Sequence, residues 1–347
     1  MIFQKVCLDG IAHVLPDRVV RSDELEQRLA PVYERLGRSV GRLEMMTGVR
    51  ERRFWAPGTT PSQAASLAGA RAVEVAGIDR DAIGCVVNGS VCRDFLEPST
   101  ASLVHYNLDL SPSALVFDVT NACLGFLNGL VILGNMIELG QVRAGLVVCA
   151  ECAETVIEST IGLLLQGEPD NRRLKLAFAT LTLGSGAAAA VLTHESLSRT
   201  GHRLLGGTFK AASEHHGLCL GGPAGAQFGD QFLTMQTQAE ELKVEGCKLA
   251  RETWNETCRE LGWSNRDVDQ VFCHQVGEAH RRLLFQTLEL PVGKNFETFS
   301  FLGNTGSASL PLGLALGVKE GLLAPGQTTA LLGIGSGINC LFLGLAW

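Results

Sequence analysis

The feature that most limits what this chain can fold into is a plan that occurs twice. Ala76 to Asn88 reads as a helix end, a polar turn and a buried strand. Leu261 to His274 repeats that plan, with Asp267 standing 186 positions after Asp81. Asn121-Ala-Cys-Leu-Gly leads into a helix, a glycine- and polar-rich turn and the strand Leu146 to Cys149. Asn304-Thr-Gly-Ser-Ala, 183 positions after Asn121, leads into another helix, the turn Ala324-Pro-Gly-Gln and the strand Thr328 to Leu332. Two independent pairs at nearly one offset mark an internal duplication. Strand and helix alternate in both copies, which predicts an α/β fold of largely parallel sheets covered by helices. The predicted halves are residues 1–200 and 201–347. Ligands of such sheets bind at the carboxyl ends of strands. Two packed halves would therefore share one cleft, with Cys123 after a strand of the first half, His274 ending a strand of the second and Asn304 after another.

Leu115 to Leu130 starts as a buried strand and turns at small polar residues. It continues as a helix, with Phe126, Leu127, Leu130, Val131 and Leu133 at spacings of three and four. Cys123 falls at the junction. Unpaired N–H groups and the helix dipole there favour a thiolate, and small neighbours, Ala122 and Gly125, leave room for a substrate. A cysteine in an apolar segment is also an ordinary packing residue, so position alone leaves nucleophile and packing both open.

Composition closes off other classes. Apolar residues make up 46% and charged ones 19%, which describes a chain with a large core. Net charge is −7 and no basic run is long, which argues against extended nucleic-acid contact. No run approaches the roughly 20 apolar residues that span a bilayer, and the start lacks the layout of a signal peptide. The expectation is a cytoplasmic protein with no membrane span. In that compartment the 11 cysteines are expected as reduced thiols. Cys149-Ala-Glu-Cys152 is the one CxxC, and no second pair completes a zinc site. His215, His216 and Cys219 read as a solvated glycine-rich loop. No metal and no cofactor are expected.

Of the remaining segments, residues 22–46 read as polar helix, Thr47 to Phe54 as a turn with a basic patch, and Pro61 to Gly77 as an amphipathic helix. Residues 153–176 join an apolar run, Ile161 to Leu165, to a polar patch, Glu168 to Arg173, and could cover a core or line a substrate channel. Gly333-Ile-Gly-Ser-Gly-Ile-Asn339 reads as a tight turn aiming backbone N–H groups at the cleft.

Together, Asn121-Ala-Cys123-Leu-Gly-Phe, Cys273-His274-Gln275, Gly303-Asn304-Thr-Gly-Ser-Ala-Ser-Leu-Pro311 and Gly333-Ile-Gly-Ser-Gly-Ile resemble the thiolase-fold condensing enzymes, in the branch that contains ketoacyl-ACP synthase III. Thr47-Gly-Val-Arg-Glu-Arg-Arg and Thr182-Leu-Gly-Ser-Gly-Ala-Ala-Ala189 extend the resemblance over nearly the whole chain. It implies a five-layered αβαβα arrangement, a homodimer and a Cys123–His274–Asn304 triad. Two departures set this chain apart. The segment after the histidine reads His274-Gln-Val-Gly-Glu-Ala-His280, and Arg42 and Met46 replace the tryptophan and arginine that contact coenzyme A in that branch. Ser90 to Ser102, with Glu97 standing 26 positions before Cys123, instead resembles the OleA-type enzymes, which join two fatty acyl-CoA molecules head to head. By spacing alone Glu97 is an exposed loop carboxylate beside Pro98. The resemblance implies a catalytic base that reaches the partner subunit's active site.

The implied chemistry gives each group a role. Cys123 takes a first acyl group from its thioester. The Cys123 and Ser336 backbone amides supply an oxyanion hole. His274 and Asn304 bind the carbonyl of the second acyl-CoA as it becomes an enolate. A malonyl donor forms its carbanion by losing carbon dioxide, whereas an ordinary acyl-CoA needs a base for its α-proton, the role of Glu97. The product is a 2-alkyl-3-keto acid of an olefin or β-lactone type pathway, whose downstream enzymes are expected partners. The alternatives are decarboxylative condensation, ketoacyl-ACP synthase III-like or pyrone-forming, and a non-catalytic binding subunit.

Overall fold

The computed structural model describes residues 1–168, 170–223 and 233–347. Nine strands form its main sheet: β1 (Val6–Val14), β2 (Cys85–Asn88), β3 (Leu115–Asp118), β4 (Ala144–Glu151), β5 (Gly186–His194), β6 (Arg203–Ala211), β7 (Gln270–Cys273), β8 (Thr328–Gly335) and β9 (Asn339–Ala346). Their order is β7-β8-β9-β6-β1-β5-β4-β2-β3. Strands from residues 6–194 lie on one side and those from 203–346 on the other, joined where Cys7 of β1 meets Arg203 of β6.

Both faces of each half-sheet are covered, which is why its strands read as continuous apolar runs. On β5, Ala188, Ala190 and Leu192 face one hydrophobic cluster while Ala187, Ala189 and Val191 face another. That alternation follows from the two-residue period of a strand. The outer layer of the first half is α1 (Pro61–Ala76) with α2 (Thr100–Asn107), packed on Val86, Leu146 and Val148. The middle layer holds α3 (Gly125–Glu138) and, further along the chain, the helix Ser309–Lys319, in one cluster with residues of both half-sheets. The outer layer of the second half is made by the helices Ala239–Leu261 and Glu278–Leu288, packed on Val271, Leu332 and Phe342. Helix, sheet, helix, sheet, helix is the five-layered thiolase arrangement. No described helix is long and apolar enough to cross a membrane.

Local chemistry explains several boundaries and corrects others. The expected helix Pro61 to Gly77 forms as α1, capped by a reciprocal Thr60–Gln63 box and ended by Gly77 in the left-handed region. The expected polar helix 22–46 instead breaks into Ser22–Arg28, Ala30–Arg35 and Arg42–Thr47, because Pro31 restarts a helix and Gly37 and Gly41 adopt positive φ. The expected basic patch is the strand Glu51–Phe54, and Arg52 within it is fully buried. It donates to Leu181 O at 2.9 Å and Ser22 Oγ at 3.0 Å. The sheets are mixed rather than largely parallel: β2 pairs in parallel with β3 and β4, and β7 with β8, but the other pairs are antiparallel. Only the turn 336–338 joins β8 to β9, far too short for a parallel crossover.

Residues 153–176 become α4 (Glu154–Gln166) and α5 (Asn171–Leu181), the latter capped by the Asp170 carboxylate accepting from Arg172 N–H. Pro169 of the polar patch lies outside the described residues. With the three short N-terminal helices, α4 and α5 form a separate apolar cluster above the sheet ends.

Candidate active site

The site is built where β3 gives way to α3. Asp118 ends the strand and Leu124 is the residue before the first helical turn. Between them Ala122 is held at φ 45°, a conformation that costs a non-glycine residue energy and turns the chain sharply. Leu124 N–H closes the turn on Asn121 O at 2.9 Å. The loop after β2 presses against the start of α3, where a Cβ on Gly125 would stand 2.1 Å from Gly89 O, so both positions need glycine. Cys123 is left half-buried, its free surface opening into a cavity of about 1250 Å³. His274, Asn304 and Ser336 line the same cavity.

His274 follows β7 and is held by its own N–H to Leu332 O at 3.0 Å. Its Nδ1 has no partner among the described residues. Burial first, and the neighbouring His280 second, push its pKa down to about 3 against a contrary contribution from the Gly306 backbone. The imidazole is therefore neutral, with one N–H to donate. Asn304 is fixed at both backbone ends: its N–H donates to Thr182 O and its carbonyl accepts from Gly184 N–H, each at 2.9 Å. Its Oδ1 accepts from Gly306 N–H at 3.0 Å, which orients the carboxamide and leaves its NH₂ to face a ligand.

The turn at Ser336 lies beside Cys123. A Cβ built on Gly335 would stand 3.6 Å from Cys123 N, and Asn339 Nδ2 donates to both Ser336 O and Asn121 Oδ1 at 3.3 Å. One side chain thus staples the two turns whose amides were expected to form the oxyanion hole.

Two expectations change. The helix dipole does not make Cys123 a resting thiolate: burial foremost, then Glu151 and Cys219, push its pKa up to about 12. Cys123 precedes the helix, and loss of hydration outweighs the dipole there. The segment 215–219 is not simply a solvated loop. A short 3-10 turn, Ser213–Leu218, leads into the strand Cys219–Pro223, and Cys219 lines the cavity. Glu97 is exposed and is not among the residues lining the cavity, although Val91 to Leu96 of the same segment are. The apolar run and polar patch do line it, through Val156 of α4 and Arg172, Leu174 and Phe178 of α5. The cavity wall is mostly apolar, so it suits an alkyl chain better than a polar substrate.

Sequence reasoning missed Glu151 and His280. Glu151 closes β4 inside the CxxC, 5% exposed, and lines the cavity. The available signal was a carboxylate at the carboxyl end of an apolar strand. His280 is buried beside His274, and burial pushes its pKa down to about 4. All 11 cysteines are free.

The family model for 3-oxoacyl-[acyl-carrier-protein] synthase III matches residues 117–213, and the model for its C-terminal part matches residues 258–347. The chain is 40% identical to an acyl-CoA:acyl-CoA alkyltransferase of Shewanella oneidensis and 37% identical to one of Xanthomonas campestris, each match covering all of both proteins. A β-ketoacyl-ACP synthase III of Bordetella petrii is 29% identical over 95% of this chain and 94% of that protein. The crystal structure of cerulenin-bound Xanthomonas campestris OleA superposes with a TM-score of 0.94 at 37% identity, covering 100% of this chain and 98% of the other. Other crystal structures of that OleA carry replacements of a cysteine, of a histidine, and of a glutamate 26 positions before the cysteine. The chain belongs to the acyl-CoA:acyl-CoA alkyltransferase family, on the ketoacyl-ACP synthase III form of the thiolase fold.

Proposed function

We infer that this protein is an acyltransferase that joins two fatty acyl-CoA thioesters head to head without decarboxylation. What carries this is end-to-end identity of 40% with an acyl-CoA:acyl-CoA alkyltransferase, in a chain whose cavity gathers a thiol, a neutral imidazole and a free carboxamide. Cys123 sulfur attacks the first thioester carbonyl, the C–S bond to coenzyme A breaks, and the acyl group stays on the enzyme. The proton lost by the Cys123 thiol leaves on the sulfur of the released coenzyme A. Backbone N–H groups of Cys123 and Ser336 hold the oxyanion. A second acyl-CoA then places its carbonyl against His274 and Asn304, loses an α-proton and attacks the acyl-cysteine carbon. The C–S bond to Cys123 breaks to release the thiolate, which regains a proton. Hydrolysis of the product thioester gives the 2-alkyl-3-keto acid, which passes to downstream enzymes acting on β-keto acids.

The α-proton goes to Glu97 of the partner subunit in a homodimer. Supporting this, Glu97 and Cys123 keep the 26-position spacing of the replaced glutamate and cysteine in the Xanthomonas campestris OleA. The surface near Glu97 also asks for a partner. Leu96 is 81% and Tyr106 83% exposed, and β3, with Leu115 exposed, is an unpaired sheet edge. Residues 1–200 and 201–347 are read as the two related halves, each bringing part of the site to the shared cavity. Eleven free cysteines suit a reducing compartment, and the cytoplasm is taken as its place of work.

The test is Glu97→Gln. Incubation with acyl-CoA should still load Cys123, as read by mass spectrometry of the intact protein, but no condensation product should form. A variant that condenses at near wild-type rate would remove Glu97 from the reaction.

A further inference from the structure

Glu151 takes no part in the steps above, yet it is a carboxylate buried at the cavity. Burying a carboxylate is tolerable only when donors satisfy it. Its four donor contacts come from two separate loops. Oε1 accepts from Val91 N–H at 2.9 Å, from Ser307 O–H at 2.6 Å and from Ser307 N–H at 3.3 Å. Oε2 accepts from Cys92 N–H at 3.1 Å. Val91 and Cys92 open the segment that carries Glu97, and Ser307 lies three residues after Asn304. Further along the Glu97 segment, the Asp94 carboxylate accepts from Ser62 N–H at 3.0 Å and Ser62 O–H at 2.7 Å, and Ser99 caps α2. Between those anchors Phe95 to Pro98 are exposed. Glu151 is therefore the pin at the start of the Glu97 segment, and the same carboxylate holds the Asn304 turn.

We propose that Glu151 is a positioning residue that locks the Asn304 turn of its own site to the Glu97 segment, so that each subunit's cavity sets the reach of the base it lends to its neighbour. This rests on Glu97 acting across the dimer. A glutamine at this position would keep the volume but lose the charge, and would turn an NH₂ group towards N–H and O–H donors. The Glu97 segment would lose an anchor in the subunit that carries the change, and the consequence would be felt in the other subunit's site. A misplacement of about 1 Å is enough to cost on the order of 100-fold in rate.

The experiment uses heterodimers isolated through two affinity tags, each with one live cysteine in a wild-type subunit. With Cys123→Ala as partner, the live site sets the reference rate. With the double variant Cys123→Ala, Glu151→Gln as partner, condensation at the live site should fall about 10-fold or more, while acyl loading of its Cys123 stays unchanged. With Cys123→Ala, Glu151→Asp as partner, the retained charge should preserve more of the rate than glutamine does. Where the glutamine variant does not assemble, the aspartate arm should still fall below the reference. A control partner, Cys123→Ala, Glu97→Gln, should abolish condensation. If the control loses condensation while the Glu151 partners give the full reference rate, the positioning role is overturned and the reading of Glu97 stands. If the control itself condenses at the full rate, the reading of Glu97 fails and the positioning role fails with it. A glutamine partner that outperforms aspartate would also overturn the proposal, because it would make volume, not charge, the relevant property.

Discussion

At Cys123 two opposing effects act on one thiol. A helix start stabilises a thiolate, while a dry cavity with Glu151 nearby destabilises it, and the second prevails. A cysteine that rests as a thiol is protected from adventitious oxidation, and under the proposed function its proton leaves with coenzyme A as the acyl group transfers. His274, with its pKa pushed down to about 3, is neutral at any working pH. Its location at the end of a strand was legible in the sequence. Its protonation was not, because that depends on burial and on His280, six residues further on. Cys123→Ser should abolish both acyl loading and condensation. His274→Ala and Asn304→Ala should slow carbon–carbon bond formation by on the order of 10²–10³, more than they slow loading, because one lost oxyanion-type donor typically costs that much. Rapid-quench measurement of the two half-reactions separates them, and equal losses in both would contradict the assignment. The buried histidines also predict a pH effect on stability. Their folded pKa values, about 3 and about 4, lie below the ordinary 6.5, so the unfolded chain binds more protons between those limits. Stability is fully present above pH 6.5 and falls as pH drops towards 4, by up to about 1.4 kcal/mol per pH unit for each histidine. Urea unfolding at pH 7.5, 6 and 5 should show a shallower decline in His280→Asn than in wild type; an unchanged slope would contradict it.

The elements that support the site were legible where one local signal governs them. Thr60-Pro61 and Gly77 bound α1 whatever surrounds it, and the three-and-four spacing after Cys123 specifies the buried face of α3, with Phe126, Leu127, Leu130 and Leu133 all buried. Signals that depend on tertiary surroundings misled. Arg50, Arg52 and Arg53 look alike in the sequence, but alternation along a strand sends Arg52 inward, where it ties Leu181 O to Ser22 Oγ. Burial lowers its pKa only to about 10, so it remains charged at neutral pH. Leu181 precedes Thr182, whose carbonyl holds the Asn304 backbone. Arg52→Ala should therefore act twice. Stability should drop by about 2–4 kcal/mol, from lost charge-assisted hydrogen bonds and unsatisfied acceptors. Condensation should fall more than acyl loading in whatever fraction stays folded. Chemical denaturation with both half-reactions assayed checks this, and a variant within 0.5 kcal/mol of wild type would show that the guanidinium is dispensable.

Across the whole molecule, the proposed duplication would account for one cavity lined by Cys123 from the first part of the chain and by His274 and Asn304 from the second. Cys123 stands after β3 and His274 after β7, in separate half-sheets, with α3 and the helix Ser309–Lys319 packed between them. The repeated plan was legible in the chain because both stretches set a polar turn before an apolar strand. The link between the Glu97 segment and the Asn304 turn was not visible, since Glu151 contacts residues 60 positions before it and 156 after it. Under the proposed function a second subunit completes the site, a reading supported by an exposed Glu97 among exposed apolar residues and by the β3 edge.

The central claim is that two ordinary acyl-CoA molecules suffice. Purified protein should be incubated with one acyl-CoA and no malonyl donor, and the products and the protein analysed by mass spectrometry. The expected result is an acyl group on Cys123 and a 2-alkyl-3-keto acid, or the ketone formed when it loses carbon dioxide, built from two copies of the supplied chain. Product that forms only when a malonyl thioester is added, with one supplied chain extended by two carbons, would contradict it.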